Sequence, residues 1–366
     1  MSYQFLPAKV GGQKGIAFFN KYFSKHVKLV CVTTRNNDAS FAEGYEVLPI
    51  LSTSPLRYIN VFYFFTIRNI LRKYQATHLL IEHPYYGWLG WMLKTFYGVK
   101  LVVHSHNIEG LRWKTLGKWW WKILWSYERS THRHADYNFF IHKDDLEYAV
   151  KHFGLDRNKC IVMTYGIEWS EKPPTERVKR AKSEVRRKHQ IGEDERILLF
   201  NGAFDYMPNR DALRVLIEIV NPILMKKEGF NYRLIICGRG IPEEFLARPY
   251  PNIAMAGFAE DIDEYFMAAD VFLNPVVEGG GIKTKLVEAL GNNCNVVSTT
   301  NGAIGVDPAL CNSKLFIVPD NDWDLFAEKA IIASNMMADV SDAYYKHFYW
   351  GDSTRKAAEF IKIHNA

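Results

Sequence analysis

A chain of 366 residues, 48% hydrophobic and 23% charged, is too long for one ordinary core and too apolar to be disordered. No run approaches the ~18 apolar residues of a membrane span, MSYQFLPAKVGG lacks the charged-then-apolar order of a signal peptide, and five scattered cysteines have no metal spacing. The net charge of +6 hides an asymmetry: residues 1–170 hold 22 Lys+Arg against 12 Asp+Glu, whereas residues 171–366 hold 24 against 28. These features predict a cytoplasmic, two-domain protein whose basic N-terminal half faces an anionic partner. A membrane surface, a lipid phosphate or an acidic glycan suits that charge; nothing resembles a nucleic-acid-binding module.

In chain order the sequence alternates strands and helices, which predicts α/β architecture with parallel sheets. Ser2–Leu6 is a short first strand, and Lys9–Gly15 is a Gly-rich turn, with Gly11 and Gly12, that leads into a helix over Ile16–His26. Lys28–Thr33 is a strand and Arg57–Tyr74 an aromatic-rich helix. The strands His78–Glu82 and Lys100–His104 bracket a helix over Tyr85–Phe96, and Ser105–Arg112 is a polar loop at a strand's carboxyl end, where open parallel sheets bind ligands. A helix rich in tryptophan and basic residues runs over Lys118–Arg133, and the strands Tyr137–Ile141 and Cys160–Thr164 close a first domain spanning residues 1–168. Residues 169–192, with Pro173-Pro174 and the charged run KRAKSEVRRKH, are predicted to be a linker entering an exposed helix. A second domain follows over 193–345, and residues 346–366 form a C-terminal helix expected to pack back on the first domain.

In that second domain Ile197–Phe200 is a strand, followed by the turn NGAFDYMPNRD with Gly202 and a helix over Ala212–Lys227. The strand Tyr232–Cys237 leads to Gly238-Arg239-Gly240, and another ends at Gly257-Phe258. Between the apolar runs Val271–Leu273 and Val296–Val297 lie Glu278, then Gly279, Gly280 and Gly281, then a helix over Ile282–Gly291. Glycines let a backbone approach an anion closely, and a helix start presents free N–H groups and the positive dipole end. Lys283 and Lys285 oppose that dipole unless an anion sits there, and Glu288 lies further along, within reach of a sugar hydroxyl. The stretch predicts a diphosphate site with a carboxylate for a ribose.

The run GGGIKTKLVEALGNNCNVVSTTNGAIGV resembles the donor-site signature of glycosyltransferase family 4, retaining enzymes of the GT-B fold. Lys283, Lys285, Glu288, Ala289, Leu290, Val296 and Val297 occupy matching positions. The resemblance implies two Rossmann-like domains facing across a cleft and a metal-independent transferase of the hexosyltransferase type. Its donor would be a nucleotide-diphosphate sugar and its acceptor a glycan or lipid-linked molecule, in bacterial surface polysaccharide or glycoconjugate assembly. Two departures stand out: the first of the family's paired glutamates falls at Gly280, with Glu278 two positions away, and Asn293-Cys294-Asn295 replaces G-x-P. The first strand is also shorter than such relatives show, which implies a clipped start. A GT-B subunit that binds nucleotide without turnover, or a sugar-nucleotide 2-epimerase, would share this architecture.

On the resemblance His106, Lys283 and Glu288 are the catalytic candidates. The nucleotide sugar would meet Gly11, Gly12, Gly202, Arg239, Phe258, Glu278, Gly279, Gly280, Gly281, Ile282, Lys283 and Glu288. Structural readings stand beside these: His104 ends an apolar strand as a core histidine, and Arg239 could be a surface cation. Glu109 and Arg112 either order the loop around His106 or touch acceptor. Three consecutive tryptophans, Trp119, Trp120 and Trp121, cannot all face inward on one helix. With Trp125, Lys118 and Lys122 they suit a peripheral membrane contact or a large core helix. The histidines are read as lacking metal-ligand spacing, and no nucleophile elbow points to a covalent nucleophile.

Overall fold

The computed structural model describes residues 1–8 and 11–363, which divide into two compact units. Unit 1 comprises Met1–Gly166 with the C-terminal stretch from Trp350, and unit 2 comprises Ile167–Tyr349. Both are Rossmann-like halves of a GT-B-type α/β fold, with every strand pair parallel.

In unit 1, β1 (Val30–Thr34) pairs with β2 (Glu46–Leu51), and β3 (His78–Glu82), β4 (Lys100–Ser105), β5 (Tyr137–Phe140) and β6 (Cys160–Val162) form a four-stranded sheet. Met1 and Ser2 lie between the two sheets. Ser2 N–H donates to Val32 O at 3.0 Å, the terminal ammonium to Leu80 O at 2.5 Å, and Glu82 N–H to Met1 O at 3.0 Å. The expected strand over Ser2–Leu6 does not form. Phe5 and Leu6 both donate to Asn37 Oδ1 at 2.9 Å, so a side chain takes the place of a ladder partner. The helix expected from Ile16 begins at Gly11 and runs to Phe23, packed on the C-terminal helix Trp350–Ile363. Lys9 and Val10 of the predicted Gly-rich turn lie outside the described residues.

Unit 2 has six strands: β7 (Arg196–Asn201), β8 (Tyr232–Cys237), β9 (Ile253–Gly257), β10 (Val271–Asn274), β11 (Asn295–Thr299) and β12 (Leu315–Val318). Their spatial order is β12-β11-β10-β7-β8-β9. Chain direction across the sheet therefore reverses between β7 and β10, and the loops leaving those strands flank the crevice where such sheets bind ligands. Leu198, Phe200, Val271 and Leu273, all fully buried, anchor this centre in the core.

Several expectations change. Within residues 169–192 the expected helix forms over Thr175–His189, but it is not merely exposed: it packs on the helix Ile262–Ala268, with Lys182 Nζ 2.6 Å from Asp270 Oδ1 and Lys188 Nζ 2.9 Å from Tyr265 Oη. Its charged face disguised a buried stripe at Ala181 and Val185. The helix expected over Arg57–Tyr74 is a short 3₁₀ turn, Pro55–Ile59, then an α-helix over Tyr63–Lys73. The tryptophan helix begins at Trp121, not Lys118, and the polar loop carries its own helix over Glu109–Thr115. Strands β2 and β12 were not among the expected strands, although Leu315–Val318 is an apolar run and β2 is apolar from Val47 on, broken only by Pro49, a residue depleted in strands.

Candidate active site

Unit 2 builds its crevice from backbone. A Cβ at Gly238 would lie 1.8 Å from Gly202 O, so the loops after β7 and β8 touch main chain to main chain. Gly202 N–H donates to Cys237 O at 3.0 Å and Gly238 N–H to Gly257 O at 2.7 Å, which extends the sheet's hydrogen bonding one residue past the strand ends. Phe258 follows as a largely exposed ring, 64% accessible. Arg239 is exposed and its Nε is 3.3 Å from Asp205 Oδ2, so in this structure the guanidinium meets a carboxylate.

The glycine loop leaves β10 and curls back. Gly279 and Gly281 have φ of +90° and +73°, conformations that side-chain-bearing residues rarely adopt. A Cβ at Gly279 would also sit 2.8 Å from Tyr206 Oη, and around Gly280 there is open space. Glu278 and Ile282 flank the glycines. Lys283 is the residue before the helix Thr284–Gly291 rather than part of its first turn. Its Nζ donates to Gly279 O at 2.7 Å and Gly281 O at 3.0 Å, which places the ammonium inside the loop. Burial pulls the Lys283 pKa down to about 8.

Lys285, read from sequence as added charge at a position matching the donor-site signature, bridges two segments. Its Nζ donates to Asn201 O at 3.2 Å and Asn209 Oδ1 at 2.9 Å and lies 4.4 Å from the Phe200 ring centroid. It thus ties the helix after β10 to the end of β7. Burial, then the charge of Lys283, pulls its pKa down to about 7. Two desolvated lysines beside orphan helix N–H groups form a site that an anion would complete. Glu288 lies one turn further along the helix, half-buried.

Unit 1 builds its strand-end cluster from side chains. Glu82, at the end of β3, is 5% exposed, and its Oε2 lies 3.0 Å from His104 Nδ1 and 2.7 Å from His106 Nε2. Burial pushes this carboxyl up, but the two imidazoles outweigh burial and hold it below the usual carboxylate range. His104 is buried, with a pKa that burial lowers, as fits a core histidine. His106 keeps 11% of its side chain exposed and stacks on His83 at 4.5 Å. His83 has φ of +63°, a strained backbone for a residue with a side chain, and its N–H donates to His104 O at 2.9 Å.

Glu109 is fully buried. It accepts from Tyr85 Oη at 2.7 Å and Arg112 Nη1 at 3.1 Å, and its other oxygen is 3.3 Å from His83 Nδ1. Burial raises its pKa, but His83, Arg112 and Tyr85 together hold it at about 2. Of the two readings of this pair, ordering the loop is what the geometry displays. Glu128, from the next helix, accepts from the N–H groups of Glu109 and Gly110 at 2.9 and 2.8 Å, capping a helix start that has no cap of its own. Gly11 and Gly12 occupy the first turn of the first helix, and a Cβ at Gly12 would meet only Tyr3 Oη at 3.7 Å.

Sequence reading missed Glu82, His83, Asn209 and Tyr206, because each acts through a partner from another segment. Glu82, His104 and His106 present one ligand-type atom each, all within 4.8 Å of one another, the two histidines being separated by one residue in the chain. Here the carboxylate already bridges both imidazoles by hydrogen bonds, which satisfies it without an ion.

Comparisons with known proteins agree with this architecture. Residues 19–170 match a family model described as Glycosyltransferase Family 4, and residues 195–335 match one described as Glycosyl transferases group 1. An uncharacterized 44.6 kDa protein in the cps region of Klebsiella pneumoniae is 29% identical over 154 residues, 39% of this chain; the match spans 38% of that relative's length. Among solved structures, a glycosyltransferase from Rickettsia africae superposes with a TM-score of 0.70 at 14% identity, covering 97% of this chain and 95% of that one. Anabaena Alr3699/HepE, in complex with UDP-glucose, has a TM-score of 0.64 at 12% identity, covering 99% and 96%. WaaG, described as a glycosyltransferase involved in lipopolysaccharide biosynthesis, has a TM-score of 0.63 at 15% identity, covering 98% and 94%.

Proposed function

Because the chain belongs to the family-4-like glycosyltransferases of the GT-B fold, we propose that it transfers a hexosyl group from a nucleotide-diphosphate sugar to a glycan or lipid-linked acceptor, with retention of configuration. The observation that carries this reading is the loop Gly279–Lys283 at the β7/β10 reversal, with Lys283 and Lys285 desolvated beside a helix start. Backbone N–H groups of Gly280 to Lys283 hold the diphosphate and Glu288 takes the ribose. Phe258 lies near the base, with Arg239 and Gly202 in the same crevice.

In the reaction the anomeric carbon–oxygen bond to the diphosphate breaks, leaving charge on that oxygen and an oxocarbenium-like sugar. The acceptor hydroxyl attacks from the departing side and its proton passes to the leaving oxygen. Fixed positive charge from Lys283 meets negative charge that grows toward the transition state, which is where it lowers the barrier. The same arrangement supplies the electrostatic work otherwise given by a metal, so turnover proceeds in the presence of a chelator. His106, held by Glu82 in unit 1, is the residue that the family resemblance assigns to the sugar.

A thermal-shift panel of sugar nucleotides tests the donor, with UDP-glucose first because the Anabaena relative binds it. Stabilisation scales with occupancy, and no shift with any sugar nucleotide would overturn the reading. A second reading, a nucleotide-binding subunit without turnover, draws on the open space at Gly280, where the family's first glutamate would stand. Slow release of nucleoside diphosphate and free sugar without acceptor excludes it. The setting expected for the reaction is the cytoplasm, in polysaccharide or glycoconjugate assembly.

A further inference from the structure

In unit 1 the stretch 47–135 exposes almost no negative charge; Glu46, just before it, accepts from Tyr74 Oη at 2.6 Å. Residues 47–135 contain twelve lysines and arginines and three carboxylates. Those three, Glu82, Glu109 and Glu128, are 5%, 0% and 0% exposed and are held in the contacts described above. Solvent therefore meets almost no carboxylate over this stretch, while Arg68, Arg72, Lys73, Lys114, Lys118 and Lys122 are all exposed. Just past it, Asp136 is bound by Lys94 at 3.0 Å.

The same stretch exposes large apolar side chains in two patches. One follows β2: Leu56 at 69%, Ile59 at 71%, Val61 at 63% and Phe62 at 71%. The other precedes and opens the tryptophan helix: Leu116 at 54%, Trp119 at 83% and Ile123 at 66%. A seam of aromatic contacts joins them: Tyr58 to Tyr85 at 5.1 Å, Tyr85 Oη to Trp113 Nε1 at 3.3 Å, and Trp113 to Trp120 at 4.9 Å. Trp125, left open between a membrane contact and core, is half-buried and packs against Phe153.

We propose that this joined surface docks on the anionic face of a lipid bilayer, with Ile59, Phe62 and Trp119 entering the interface and Lys114, Lys118 and Lys122 meeting headgroup phosphates. The apolar side chains choose between anionic partners. A hydrated polyanion satisfies the lysines but leaves Phe62 and Trp119 in water, whereas a bilayer surface accommodates both. Nearby bases without competing carboxylates add long-range attraction, each worth ~1 kcal/mol near the surface. The inference rests on unit 1 alone and survives or fails independently of the donor reading. Tyr85 also holds Glu109, so the seam adjoins the histidine cluster and would bring a lipid-linked acceptor beside it.

The test is cosedimentation of the full chain with vesicles of phosphatidylglycerol and phosphatidylcholine, against phosphatidylcholine alone, at low and high salt. Binding to the anionic vesicles should be about tenfold or more tighter at low salt and should fall at high salt, because the attraction is screened. The pair Ile59→Ser with Phe62→Ser, and separately Lys118→Glu with Lys122→Glu, should each weaken it about tenfold or more with an unchanged Tm. These are surface positions, so folding is retained. Equal, negligible binding to both vesicles at low salt overturns the proposal, as does undiminished binding by both folded variants.

Discussion

The two units place a polar cluster at the same edge of a parallel sheet and build it in opposite ways. Unit 2 uses main chain: three consecutive glycines, a helix start and two lysines whose carbonyl partners are the glycine loop and the end of β7. Unit 1 uses side chains: Glu82, buried, is bound by His104 and His106, and Glu109, also buried, accepts from Tyr85 and Arg112 and lies 3.3 Å from His83 Nδ1. A backbone cradle is tolerant of sequence everywhere except at its glycines and is open to an incoming anion. A side-chain network is already closed on itself and fixes ring orientation. The lesson is that unit 2 is built to receive charge and unit 1 is built to hold a histidine still.

The strongest way to break this contrast is Glu82→Ala. Removing a buried carboxylate that serves two imidazoles should cost about 3 kcal/mol of stability, read by denaturant unfolding. The folded carboxyl titrates below its ordinary value of 4.5, so its contribution is full above that pH and is lost as pH falls through the folded value. The gap between variant and wild type should therefore close in acid. A variant as stable as the wild type at neutral pH contradicts the account of unit 1.

Next in size is Lys283→Ala, which should leave Tm intact and slow turnover on the order of 10²-fold. Normal kinetics in this variant would remove the lysine from the reaction. Paired with the Glu82 result, it separates a residue that serves the fold from one that serves the chemistry.

Glu288→Gln sharpens the assignment within unit 2. Loss of a charged hydrogen bond to a ribose hydroxyl should raise the Kd for nucleoside diphosphate about tenfold. Titration calorimetry reads it, and an unchanged Kd places the ribose elsewhere.

The smallest expected effect is a proton. Burial lowers Lys283 to about 8 in the free protein, and a bound diphosphate would raise it again. Binding should therefore take up a fraction of a proton near pH 8, visible as buffer-dependent heats, and affinity should weaken as pH rises through that value. Lys283→Ala should reduce the uptake; heats independent of buffer ionisation would show that the lysine does not titrate with binding.

Sequence alone determined the features that are local. The alternation of apolar runs and amphipathic segments specified parallel α/β halves, because burial on both faces requires near-continuous apolar strands. The run Gly279–Lys283 was legible because glycine's freedom at positive φ and the helix start are properties of adjacent residues. Tertiary structure alone decided what depends on partners distant in the chain. Glu82 and His106 are 24 positions apart, Lys285 and Asn201 are 84, and strand pairing in register brings them within hydrogen-bonding distance. It also decided which charges stay in water: Glu82, Glu109 and Glu128 look like ordinary acidic residues in the sequence, and only packing hides all three, leaving the basic and aromatic side chains to define that surface.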